Sequence, residues 1–193
     1  SAAGEAALKA NKPSTGIRSV APMLSNDGVN ICDPQGFPRM ELYEFRVIQL
    51  AQTKNQVLFL NEFDNAWRVI WTDGRPLPDI KEADPRWNGY SVGKWVDDYT
   101  FVVDTVGFNN RTWLDNVGRP HTSDMRVQES FHRVDNDTLE LSVKIDDPKL
   151  YTRPWMALDK FILHRLPDNF DTEEMICSPS ETAEYNEFIG SHQ

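Results

Sequence analysis

The chain has 193 residues, with 30 acidic against 20 basic side chains and a formal net charge of −10. Phosphate backbones and anionic lipid repel such a chain, so nucleic-acid and membrane-surface partners are excluded. Apolar residues at 39% and aromatic residues at 11% suffice to close a core and exclude wholesale disorder. The length fits one domain over 1–193, and no run of about 18 uncharged apolar residues is present to cross a bilayer.

Residues 1–41 read as a wrapping arm. The chain opens on Ser1 with no basic start and apolar run, as expected of a mature chain whose leader, if any, was removed. Residues 5–10 suit a short helix, which Lys12-Pro13-Ser14-Thr15-Gly16 ends. Residues 17–40 carry Pro, Gly and Asn/Asp punctuation without a sustained period.

From 42 to 165, runs of β-branched and aromatic residues recur between turn signals. They predict eight strands, at 42–50, 56–63, 66–72, 91–96, 99–106, 125–134, 138–146 and 155–165. Asp64-Asn65, Asp97-Asp98 and Asp135-Asn136-Asp137 supply hairpin connections, because Asp and Asn tolerate the backbone conformations that tight turns need. No helical crossover separates the strands. The expected fold is all-β, an antiparallel eight-stranded lipocalin-like barrel, with 166–193 forming a tail and a short helix. A two-sheet β-sandwich is the alternative, since the insertions at 73–90 and 107–124 can also cross between sheets. Ser178-Pro179-Ser180-Glu181 has the form of a cap, a first-turn proline and a capping box, and opens a helix running to Gly190.

Alternation assigns faces. Leu139, Leu141, Val143 and Ile145 alternate with Glu140, Ser142, Lys144 and Asp146, which puts the first set in the core. In 125–134 the set containing Val127 and Phe131 also carries Glu129 and Arg133, and in 99–106 Asp104 shares a face with Val102 and Val106. Charged groups on an apolar face require partners. They point either to a structural salt bridge or to a partly polar cavity.

Cys32 and Cys177 each sit in a Pro-containing polar loop, Cys32-Asp33-Pro34 and Cys177-Ser178-Pro179. They read as one disulfide tying the arm to the tail, with two free thiols of a cytosolic protein as the alternative.

The insertions hold the chemically dense residues and, with Trp87, Tyr90, Phe108 and Trp113, are expected to be ordered loops over a barrel mouth. His121 is the candidate acid or base, oriented by a carboxylate from Asp104, Asp115 or Glu129. Arg133 is the candidate for holding an anionic group, and Trp113, Trp87, Tyr90, Tyr151 and Phe108 for an aromatic wall. The equally ordinary reading of His121 is a hydrogen-bonded loop residue. His132, Glu129 and His164 lack the spacing of a metal set, and Asp97-Asp98 and Asp146-Asp147 read as solvated strand ends, so no metal and no organic cofactor is expected. Two functions follow. One is a cofactor-independent acid/base enzyme (isomerase, lyase or hydrolase) acting on a small organic substrate, aromatic ones included, in the barrel cavity. The other is a lipocalin-like binding protein for a small amphipathic ligand, without turnover.

Four stretches carry a family likeness: Ile70 to Pro78, Trp87 to Trp95, Val102 to Phe108 with Thr112 to Asp115, and Asp146 to Trp155. Together with the two cysteine segments they resemble a family of exported proteins of soil and environmental bacteria. Lys94 and Val96-Asp97-Asp98 depart from it where Arg and an acidic-Gly-Asp turn are expected. The resemblance implies a periplasmic or secreted protein, supports the disulfide, and implies no particular reaction.

Overall fold

The structure, a computed structural model, describes residues 1–43 and 45–188. Its centre is one sheet of eight strands: β1 (Ile48–Gln52), β2 (Gln56–Asn61), β3 (Trp67–Trp71), β4 (Tyr90–Trp95), β5 (Thr100–Val106), β6 (Arg126–Arg133), β7 (Thr138–Asp146) and β8 (Trp155–His164). Each strand neighbours the next in chain order. Helices are few: α1 (Ala2–Ala10), the single turn α2 (Arg39–Leu42) and α3 (Pro179–Phe188), with two 3₁₀ turns at Pro22–Leu24 and Gly28–Ile31. Gly190, the expected helix stop, lies outside the described residues.

Two expectations are corrected. The sheet is mixed: β3 and β4 run parallel through Ile70↔Ser91 and Trp71↔Val92, while the other neighbours are antiparallel. Residues 72–89 make that crossover as irregular chain, so it left no helical signature. The barrel is also open, because β1 and β8 remain the two edges of a curled half-barrel. The sandwich alternative gives way to this single sheet. Before β1, residues 39–42, partly assigned to the first strand, form α2 instead.

The concave face holds the core. Phe59, Ile70, Phe101, Val103, Val127, Phe131, Leu141, Val143 and Ile145 are buried there, as alternation predicted for β7. Gly93 is needed on this face. A Cβ there would stand 2.3 Å from the Phe101 ring, so β4 admits the ring only without a side chain. The faces of β5 are the reverse of those read for Asp104: Phe101, Val103 and Thr105 point inward, and Asp104 lies outside, accepting from Gln128 Nε2 at 2.8 Å.

One end of the half-barrel is plugged. The insertion after β5 packs Phe108, Trp113 and Leu114 into the interior. The arm locks over it, with Thr112 Oγ1 donating to Gln35 O at 2.7 Å and Asn11 Nδ2 donating to Gly118 O at 2.8 Å. Arg39 is buried against Asp27, donating from both terminal nitrogens at 2.7 and 2.6 Å, and lies over the Trp113 ring. At the far side of the chain Cys32 and Cys177 form a disulfide, which fastens the segment before α3 to the arm.

Candidate functional site

The open seam creates a concave, largely apolar surface at the end opposite the plug. A closed barrel would pair β1 with β8 and cover their inward side chains. Here Leu50 stands opposite the buried Phe59 and yet is 53% exposed, and Phe161 stands opposite the buried Leu141 and is 41% exposed. Phe45, just before β1, lays its ring 5.7 Å from Phe161, so the chain entering β1 spans part of the gap by ring packing. Between these edges runs a groove of about 890 Å³. Phe59 and Phe131, packed edge to face at 5.3 Å, lie among its lining with Leu139 and Leu163, and Arg133 and His164 line it too.

Arg133 therefore lies on the inward face, as expected, but at the strand end and exposed. Its Nε donates to Asp135 O at 3.0 Å and its Nη2 to Asn136 Oδ1 at 2.8 Å, which holds the guanidinium at the β6–β7 hairpin.

Glu129, four residues deeper on β6, is fully buried. Its carboxylate accepts from Arg68 Nη1 at 2.9 Å and Nη2 at 2.5 Å. Arg68 also donates to Ser91 Oγ and Thr105 Oγ1 and lies 3.6 Å over the Phe37 ring. Glu41 of α2 completes the cluster, with Oε1 3.8 Å from Arg68 Nη1. Burial first, and the Glu129 carboxylate second, push the Glu41 carboxyl well above the ordinary carboxylate range. One cation thus faces two acidic side chains, one of which, Glu41, holds its proton to higher pH than an ordinary carboxyl. Of the two readings of inward charge, the salt bridge is the one built here. Arg68 and Glu41 escaped the sequence reading.

His121 lies elsewhere. It is buried at the plugged end, 6% exposed, and lines neither the seam groove nor the smaller groove on the outer face. Its Nδ1 is 3.2 Å from Thr122 O, and its ring packs edge-on to Phe108. Burial lowers its pKa below the usual imidazole value. Asp115 is occupied in its own loop, accepting from the Val117 and Arg119 amides at 3.0 and 3.1 Å and pairing with the Arg119 guanidinium. Tyr151 donates to Pro120 O at 2.9 Å, and burial pushes its phenol up to about 12. Asp147, read as a solvated strand end, is instead buried and accepts from the Thr122 amide and hydroxyl at 2.6 and 3.0 Å.

The sequence-derived candidates accordingly fall into separate places. His121, Asp115, Phe108, Trp113 and Tyr151 brace the plug, Asp104 sits on the convex face, Glu129 in the core, Arg133 at the seam, and Trp87 and Tyr90 beside β3. Among the described residues no group of three or more His, Cys, Asp or Glu is placed to share a metal ion, and no helix is long and apolar enough to cross a membrane. Comparison with protein-family models, curated proteins and solved structures finds no match for this chain.

Proposed function

We propose that the protein binds a small amphipathic molecule in the seam groove and does so without turnover. The carrying observation is the pair of unjoined edge strands: the inward Leu50 of β1 is left half-exposed in the groove and Leu163 of β8 lines its other side, over the packed Phe59–Phe131 floor. A groove of about 890 Å³ is within the range of drug-sized ligand sites. Its apolar lining suits a hydrocarbon or ring system, and Arg133 and His164 suit a polar end group. His121, the expected acid or base, is buried at the plug and does not line that space, which favours the binding reading, while His164 and the carboxylates of Asp135, Asp137 and Asp168 stand at the rim as polar contacts. A periplasmic or extracellular location fits, since a disulfide persists in oxidising compartments.

The test is titration with an environment-sensitive anilinonaphthalene dye, followed by its displacement with fatty acids, terpenoids and phenolics. Saturable dye binding that Leu50→Lys weakens by about tenfold is expected, since the substitution places a charge on the apolar wall. Dye affinity equal in the wild type and Leu50→Lys would rule the groove out, and conversion of any displacing compound would restore the enzyme reading.

A further inference from the structure

The second groove lies on the opposite face of the sheet and has different chemistry. On β3, Arg68 and Ile70 are buried inward, which turns Trp67, Val69 and Trp71 outward at alternate positions. The parallel junction brings residues 86–91 alongside, and Trp67, Trp71, Trp87, Tyr90, Arg86 and Asn88 line a groove of about 310 Å³. Three of the six tryptophans of the chain meet at this one place. Trp67 is 64% exposed. Two cations hold rings in position: Arg75 lies 3.4 Å over Trp71 while bonded to both Asp73 oxygens, and Arg86 lies 4.0 Å over Tyr90. Asn88 donates from Nδ2 to Trp67 O at 3.4 Å, but its Oδ1 is buried with no hydrogen-bond donor.

These features restrict the occupant. Aromatic rings gathered around one depression, Trp67 exposed and the others half-buried, mark a binding surface. A buried amide oxygen without a donor in the chain is completed by a water or by an N–H or O–H of a bound molecule that displaces it. Lipid would cover the rings and leave that oxygen unsatisfied. An added peptide strand finds little free edge here, because β2 pairs the whole of β3 on one side and β4 pairs Ile70 and Trp71 on the other. Polyanions are disfavoured by the net charge of −10. A pyranose meets both needs, with a flat C–H face for an indole and hydroxyls around its rim. Trp67 and Trp71 are four residues apart on one strand, about 13 Å, room for more than one such ring.

We infer that this outer groove binds a neutral oligosaccharide of pyranose units, stacked on Trp67 and Trp87, with one hydroxyl donating to Asn88 Oδ1 and Arg86 donating to sugar oxygens. The site is independent of the seam groove and adds a second specificity to the protein.

Native gel electrophoresis through soluble β-1,4-glucan, β-1,3-glucan and galactomannan tests the inference, with tryptophan fluorescence as the second readout. At least one polysaccharide should retard the full chain and shift its emission. Trp67→Ala, a change at an exposed ring, should raise the dissociation constant about tenfold with circular dichroism unchanged. Asn88→Ala should weaken binding as well, and its melting curve separates lost contact from lost fold. Absence of retardation in all three gels, equal retardation of the wild type and Trp67→Ala, or saturation by a simple phenol in place of every sugar would each overturn it.

Discussion

Arg68 of β3 and Glu129 of β6 meet in the interior of the half-barrel through two parallel hydrogen bonds of 2.9 and 2.5 Å, three strand positions apart in a sheet that does not close. Both are buried, so each neutralises a charge that the core would otherwise not tolerate. The fork of Arg68 is further held by the Ser91 and Thr105 hydroxyls, which themselves lie 2.9 Å apart.

Removing one partner should therefore be far worse than removing both. Arg68→Met is expected to cost about 3–5 kcal/mol, because it strands the Glu129 carboxylate, and Glu129→Gln a smaller part of that. Arg68→Met combined with Glu129→Leu should recover much of the loss. Urea unfolding of the three variants measures this, and a double variant as unstable as the sum of the singles would contradict it.

Two buried groups should give stability opposed dependences on pH. The folded chain keeps a proton on Glu41 that the unfolded chain releases. That contribution is complete below the ordinary carboxyl pKa and is lost as pH rises toward the elevated folded value. His121 acts in reverse. Its folded pKa is lowered, so the unfolded chain takes up a proton first, and stability is lost as pH falls below the ordinary imidazole value. Glu41→Gln should flatten the decline on the alkaline side, and His121→Phe the decline on the acid side, in urea midpoints measured across pH. An alkaline slope unchanged by Glu41→Gln would show that the proton lies elsewhere.

The Cys32–Cys177 disulfide closes a loop of 145 residues. On the chain-entropy account its loss costs up to about 5 kcal/mol. Cys32→Ser with Cys177→Ser should lower the thermal midpoint, and a reducing agent should do the same to the wild type without affecting the double variant. A midpoint insensitive to reduction would mean that the tail contributes nothing to the cooperative unit.

Much of the sheet was legible in the sequence because alternation and turn residues are local signals. Strands β2 to β8 fall within two residues of the predicted spans. The first strand, expected at 42–50, begins only at Ile48, because Leu42 closes α2 and Tyr43 caps it. Arg68 was hidden for a specific reason: it sits between Trp67, Val69 and Trp71, and that apolar triplet reads as the core face although it points outward. Glu129 was recognised as inward, yet its partner lies on a strand 61 residues away to which no face had been assigned. His121 stood out by composition, but a buried histidine and one facing a cavity have the same neighbours in sequence, and only tertiary packing separates them. The opening of the barrel depends on which edges fail to meet, a property of the whole sheet.

The parallel junction between β3 and β4 rests on two residue pairs. Either side of it the sheet is antiparallel, β1–β3 and β4–β8, with the 107–125 insertion interrupting the second block between β5 and β6. Residues 72–89 return along the sheet to make the parallel step. Few backbone pairs therefore join one block to the other, and the Arg68–Glu129 ion pair, reaching from β3 to β6, is a side-chain clasp across that junction.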